Sequence, residues 1–194
     1  MFVYDTMGEY DDSGIVFTDY ESLENFWLDH TENFRIVYQP LQPKDEFPYI
    51  AHLVYNVGDC VFVVEELDNF CSPYELPFDM ANIIQRGRHA NIDFIGVSQR
   101  PFGINRTVSA QCKEIITFQQ SEPRDIQYLS TYIGKEVERV RDLGKYHYLH
   151  WCDGHVAIHS PTGEIRTPYK DTDDETEEYE EVSQATDETE HEEI

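Results

Sequence analysis

The chain has 194 residues, 40% of them hydrophobic, which suits one domain of ordinary size with its own core. Charges or prolines interrupt every apolar run before the ~18 residues of a membrane span, and Met1-Phe2-Val3-Tyr4-Asp5 lacks the basic start of a signal peptide. These features set aside membrane and secreted classes and point to the cytoplasm, whereas the net charge of −25 excludes little until its distribution is known.

In chain order, Phe2-Val3-Tyr4 reads as a short buried strand ending in Asp5, with a turn over residues 6–10. Thr18 and Glu21 have capping-box spacing, and Tyr20, Leu23 and Trp27 recur at helical spacing after them. Residues 34–38 form a strand stopped by Pro40. Phe47, Ile50, Leu53, Val54 and Val57 share one helical face, and Gly58 ends that helix. The unbroken apolar run from Cys60 to Val64 predicts a strand covered on both faces. A helix through Met80, Ile83 and Ile84, a strand over 92–97, a short helix near Val108 and a strand over 115–118 follow. Helices are predicted over 123–133 and 137–143.

Strands alternating with helices at this spacing imply an α/β fold with a mostly parallel sheet over residues 1–145. Residues 146–170 read as a β-hairpin extension turning at Asp153-Gly154. Residues 171–194 hold 13 acidic and no basic side chains and almost nothing apolar, so they read as a disordered acidic tail. The charge map then becomes informative. Residues 1–80 hold 17 acidic and 2 basic side chains, but residues 81–170 hold 9 and 12. An anionic ligand would therefore bind the middle segment. Cys60, Cys71, Cys112 and Cys152 are scattered with no Cys-x-x-Cys pair and read as reduced core thiols.

The strongest local signal is Val61-Phe62-Val63-Val64-Glu65-Glu66, a buried strand delivering two carboxylates at its C-terminal end. That is the form of a Walker B motif, in which the first acid serves Mg²⁺ and the second orients or deprotonates a water. Ligands of parallel α/β sheets gather outside the carboxyl ends of strands, which is where these acids fall. Two glutamates opening a solvated loop is the plainer alternative. A second strand ends in Ser98-Gln99-Arg100-Pro101, where the Gln99 amide can accept from a water and donate to a phosphate oxygen at once. Between them lies Gln85-Arg86-Gly87-Arg88-His89. Arg86 or Arg88 could clamp a neighbouring subunit's phosphates, or could simply complement a helix C-terminus.

Taken in order, these pieces resemble the HerA/FtsK superfamily of ring-forming DNA-pumping P-loop ATPases, which includes viral genome-packaging relatives. The pieces are Asp5-x-x-Gly8-Glu9-Tyr10, the Walker B strand, Arg86-Gly87-Arg88-His89-x-Asn91-Ile92, Ser98-Gln99-Arg100-Pro101, and Ile115-Ile116-Thr117-Phe118 followed by Glu122-Pro123-x-Asp125. The resemblance covers roughly residues 1–145. It implies a RecA-like core that binds ATP and Mg²⁺ and assembles into a homo-oligomeric ring, usually a hexamer, with DNA in its channel. Glu66 would polarise the lytic water, Glu65 would serve the metal, Gln99 would sense the γ-phosphate and Arg86 or Arg88 would act across the subunit interface. Asp5 would lie on the cofactor side.

Two departures stand out. The P-loop, G-x-x-x-x-G-K-[ST], belongs before the Asp5 strand and does not occur in these residues. Only Gly134 and Gly144 precede lysine, and Leu129 and Arg139 occupy the upstream glycine positions. The fold is thus expected to lack its first strand, leaving core faces uncovered. The acid pair is also Glu-Glu where the family more often has Asp-Glu.

One further cluster, His147, His150, Cys152, His155 and His159, crowds the hairpin. Alternation puts His150 with Tyr146 and Tyr148 on one face and His147 with Leu149 and Trp151 on the other, and no zinc-finger spacing appears. Aromatic–histidine cross-strand packing is expected there.

The leading functional expectation is a DNA-translocating or packaging ATPase subunit from a phage or mobile element. It would work in the host cytoplasm, with its P-loop supplied by upstream sequence or a partner chain. The alternatives are an inactive relative that modulates intact ring subunits and an acidic DNA mimic, the latter weakened because so many of the carboxylates lie in the tail. If the tail screens the basic segment, deleting residues 171–194 should leave the melting temperature almost unchanged and tighten DNA binding, most visibly at low salt. Salt titrations of DNA affinity check this, and equal affinities at every salt concentration count against screening.

Overall fold

A computed structural model describes residues 1–30, 33–162 and 165–171, the last stretch by its backbone alone. The predicted acidic tail lies outside these residues except for Asp171. The described residues form two units, one of Met1–Lys113 with Gln120–Glu138, the other of Glu114–Gln119 with those from Arg139 to Asp171.

In the first unit, strands β1 (Phe2–Tyr4), β2 (Ile15–Phe17), β3 (Ile36–Tyr38), β4 (Cys60–Val64) and β5 (Ile92–Gly96) form one parallel sheet in the order β2-β3-β1-β4-β5. Helices α1 (Tyr20–Asp29), α2 (Pro43–Val57), α3 (Phe78–Arg86), α4 (Arg106–Ser109) and α5 (Pro123–Ile133) belong to the same unit. The cap of α1 is Asp19, whose carboxylate accepts from Ser22 N–H at 2.8 Å, one residue beyond the predicted capping box at Thr18. Strand β2 has no counterpart in the sequence reading. It is three residues long, and Ile15 and Val16 are exposed, so no burial pattern marks it.

Register assigns the two faces of the sheet. Phe2, Tyr4, Ile36, Tyr38, Phe62 and Val64 share the face that builds the core with Leu23, Trp27, Phe47, Ile50, Val54 and Met80. Phe2 stacks on Trp27 at 5.1 Å between centroids, and Tyr4 meets Phe47 at 5.2 Å and Phe70 at 5.4 Å edge-on. Such pairs add about 1 kcal/mol each beyond the area they bury. The opposite face is covered unevenly. Val3 and Val37 are buried, Val61 and Val63 half-buried, and Ile95 and Val97 are 50% and 47% exposed. Strand β4 is thus not covered on both faces as its apolar run predicts. The helices that bury Phe62 and Val64 pack on that one face, and β5 beside it ends the sheet among the described residues.

The end of α2 fixes how β4 meets β5. Gly58 closes the helix with φ 69°, and a Cβ there would lie 2.5 Å from the Ala90 carbonyl oxygen, which accepts from Asp59 N–H at 2.8 Å. Asn91, also left-handed at φ 51°, donates its side-chain N–H to Asp59 Oδ1 at 2.8 Å. The turns before the two strands are therefore tied to each other.

The second unit is an antiparallel sheet of β6 (Glu114–Thr117), β7 (Tyr148–Cys152), β8 (His155–His159) and β9 (Ile165–Asp171) in that order. The predicted hairpin forms, with Asp153 at φ 47° and Gly154 at φ 85° in its two-residue turn. Two differences from the sequence reading follow. The strand at 114–117 pairs with β7 and not with the parallel sheet, so it leaves the domain drawn over 1–145. The helix predicted over 137–143 is a 3₁₀ segment, Gly134–Asp142.

Gly58 and Gly134 offer a matched pair, with φ 69° and 78° and similar ψ, but nothing lies within 4 Å of a Cβ at Gly134. Both alanine variants should suffer backbone strain. Gly58→Ala should lose a further ~1–3 kcal/mol from the clash with Ala90. Urea unfolding measures this, and equal losses at the two sites would contradict the docking of α2 on the β5 turn.

Candidate functional site

Because β1, β4 and β5 are neighbours and parallel, Asp5, Glu65-Glu66 and Ser98-Gln99 emerge at one edge of the sheet, as the sequence placed them. Each acid there has a different environment.

Asp5 is 1% exposed, and its carboxylate organises the loop that follows. Oδ1 accepts from the backbone N–H of Met7 at 3.1 Å, Gly8 at 2.8 Å and Glu9 at 3.3 Å. Oδ2 accepts from Tyr10 N–H and from the Gln39 side-chain amide, both at 3.2 Å. Burial alone would push the Asp5 carboxyl up, but the donors from Tyr10, Glu9, Gln39 and Gly8 outweigh it and hold it below the ordinary value. With five donors on two oxygens, Asp5 shapes the loop in this structure.

Glu65, one position past β4, is 9% exposed, and its Oε2 is buried with no hydrogen-bond partner. Burial raises its pKa, and the nearby Asp5 and Glu9 add to the rise, while the Tyr10 hydroxyl beside it opposes. A buried carboxylate oxygen without a donor, among other acids, is the environment that a divalent cation would relieve, so Glu65 fits a metal-serving role.

Glu66 takes the left-handed conformation, φ 50° and ψ 41°, which few non-glycine residues adopt. The ladder carries on past the strands, with Val97 N–H donating to Val64 C=O at 2.9 Å and Leu67 N–H to Val97 C=O at 2.8 Å. This brings Gln99 beside Glu66. Gln99 Nε2 donates to Glu66 Oε1 at 2.7 Å, and Asn69 Nδ2 donates to Oε2 at 3.4 Å. A half-buried carboxylate oriented by an amide can hold a water and take its proton.

The loop carrying Gln99 is braced from two sides. Ser98 Oγ donates to Asp68 Oδ1 at 2.6 Å. Arg100 Nε donates to Asp125 Oδ2 at 2.7 Å, and Phe102 N–H to Asp125 Oδ1 at 2.9 Å. Asp125, at the start of α5, is fully buried. In the sequence Arg100 and Asp125 fall in separate motifs, and neither has an assigned role there. Their order along the chain was visible, but their pairing over 25 residues was not.

Arg86 and Arg88 stand elsewhere. Both are exposed, at the end of α3 and in the turn before β5, which is the opposite edge of the sheet from Glu66. The five residues of β5 separate the two edges by about 16 Å. Within one chain these arginines do not join Glu66 and Gln99. Two cavities border that same far edge, one of about 70 Å³ beside Phe2, Trp27, Phe34 and Cys60.

The fold is RecA-like, an α/β unit with a parallel five-stranded sheet and a separate four-stranded antiparallel sheet. Its structural neighbours include the genome packaging NTPase B204 of Sulfolobus turreted icosahedral virus 2, solved in complex with AMPPCP. The TM-score is 0.69 at 23% identity, covering 82% of this chain and 81% of that one. The DNA-packaging ATPase B204 of Sulfolobus Turreted Icosahedral Virus aligns with a TM-score of 0.67 at 22% identity, covering 82% of each chain. At this identity the likeness establishes the fold. The chain matches no protein-family profile and no curated protein.

Asp5 and Glu65 should respond oppositely to loss of charge. Asp5, held below its ordinary ~4, stabilises the fold fully above that pH and loses the contribution as pH falls through its lower folded value. Glu65, held above ~4.3, lowers stability as pH rises through that value. Asp5→Asn should cost ~2 kcal/mol at pH 7. Glu65→Gln should cost nothing there or stabilise, with its difference from wild type vanishing in acid. Denaturant unfolding from pH 3 to 7 measures both, and a Glu65→Gln loss matching that of Asp5→Asn would refute the assignment.

Proposed function

We propose that the chain is the hydrolysis side of a HerA/FtsK-type ATPase that moves or packages DNA. The observation that carries this reading is the Glu66–Gln99 hydrogen bond at the carboxyl edge of a parallel sheet of RecA-like fold. Glu66 Oε1 or Oε2 accepts the proton of the attacking water and aims its lone pair. Gln99 holds that carboxylate in place and presents its amide to the γ-phosphate oxygens, so that nucleotide state is felt along the loop to Arg100 and Asp125. Glu65 would hold Mg²⁺, which when bound neutralises charge on the nucleotide phosphates. Arg86 or Arg88 acts on the site of the next subunit in a homo-oligomeric ring, a hexamer in this reading, around DNA. Their place at the far edge of their own sheet supports action in trans.

The phosphate grip comes from outside these 194 residues, from preceding sequence or a separate chain carrying the P-loop strand and helix. The unpaired outer side of β5 and the exposed Ile95 and Val97 support an added strand there. The absence of a P-loop motif from these residues also favours a second reading, an inactive relative that binds and modulates intact ring subunits. No helix among the described residues is long and apolar enough to cross a membrane.

Reconstitution separates the two readings. The chain alone should not turn over ATP, and adding a polypeptide with the P-loop strand and helix should restore turnover. Glu66→Gln should abolish it, and Gln99→Ala should slow it by ~10²-fold or more while ATP binding persists. Arg88→Ala mixed with Glu66→Gln subunits should recover partial activity. Full turnover in the Glu66→Gln complex would remove the water-activating role and leave the modulator reading.

A further inference from the structure

The antiparallel sheet carries its own group of chemistry-bearing side chains. Cross-strand partners share a face. Glu114 on β6 is the partner of Cys152 on β7, and Ile116 is the partner of His150 two residues back along β7, so Glu114, Cys152 and His150 lie on one face. On β8 the partners of Cys152, His150 and Tyr148 are His155, Ala157 and His159. One face of three strands thus gathers a carboxylate, a thiol and three imidazoles. Alternation within the hairpin could not show this, because Glu114 arrives from β6, more than thirty residues earlier in the sequence.

The ligand atoms of Glu114, His150 and Cys152 all lie within 4.8 Å of one another, the one such group among the described residues. Donors around a tetrahedral ion with bonds of about 2.0–2.3 Å stand roughly 3.3–3.8 Å apart. Side-chain adjustments of about an ångström would therefore close the set. His150 Nε2 already points at the carboxylate, 3.2 Å from Glu114 Oε2. Asp153 Oδ2 lies 4.0 Å from Cys152 Sγ, a second acidic group beside the thiol. The plainer account, a histidine–carboxylate ion pair, explains Glu114 and His150 but gives no part to Cys152.

We propose that Glu114, His150 and Cys152 bind one borderline-soft divalent transition metal, zinc in chemical class, with water in the fourth position. One sulfur, one nitrogen and one oxygen donor suit such an ion, whereas magnesium and calcium take oxygen. Glu114 lies on β6 and the other two ligands on β7, so the ion would cross-link a strand that enters this unit from a separate stretch of chain. The site has no part in the carboxylate edge of the parallel sheet, and its success or failure leaves the ATPase reading unchanged.

Cobalt(II) is the probe, added to the full purified chain with its thiols reduced. One ion should bind per chain with tetrahedral d–d absorption and a near-ultraviolet thiolate-to-cobalt band, zinc should displace it, and binding should release protons. Cys152→Ser should abolish the thiolate band, whereas Cys60→Ser, at the cysteine that opens β4 in the parallel sheet, should keep it. Glu114→Gln and His150→Gln, both close in shape to the originals, should weaken affinity about tenfold or more. The thiolate band is read on the wild-type chain, so the proposal stays testable if a variant misfolds. Cobalt binding without a thiolate band, or a band that persists in Cys152→Ser, would overturn the site.

Discussion

The carboxyl edge of the parallel sheet depends on the register of β4 against β5. Val64 faces Gly96 across this pair, and the ladder continues from there into Val97 and Leu67. Gly96 lets the two strands finish together, because a Cβ at that position would lie 2.4 Å from Leu67 Cδ2. Leu67 packs over Gly96, and Glu66 just before it takes the left-handed conformation. The turn sets the Glu66 carboxylate against the Gln99 amide. A slip of one residue in either strand would turn that strand's side chains to the other face and part Glu66 from Gln99.

The acids at this edge divide the work by their surroundings. Asp5 is supplied with five donors and stabilises the loop after β1. Glu65 is buried beside it with an oxygen that no donor reaches, a local cost that a cation would offset. Glu66 is half-buried and held by side-chain amides alone, which leaves it open to a water. Three carboxylates within two strand ends thus differ in role because burial and donors differ.

Much of the parallel sheet was legible in the sequence, since β1, β3, β4 and β5 are short apolar runs ending in turn residues and helices of clear period separate them. Glu66 and Gln99 were legible as strand-end residues, and the parallel order then brings them together. What stayed hidden is set by long-range pairing. The strand at 114–117 looks like another parallel strand, yet it pairs with β7, because pairing preference does not show in a run as short as Glu114-Ile115-Ile116-Thr117. The bond from Arg100 to buried Asp125, and the meeting of Glu114 with Cys152, likewise join residues far apart in sequence. Strand β2 was missed because its side chains are exposed and carry no alternation.

The central claim is that the edge of β5 is completed by a strand from outside these residues. In a parallel ladder, alternate residues of a strand bond to each side. Val97 N–H bonds inward to Val64, so the amides of Phe94 and Gly96 point to the open side. Amide exchange at these two residues, with and without a polypeptide carrying the P-loop strand and helix, is the direct measurement. The account predicts that both amides exchange quickly in the chain alone and become protected by tenfold or more when that polypeptide is added. Unchanged exchange at Phe94 and Gly96 with the polypeptide bound would contradict it.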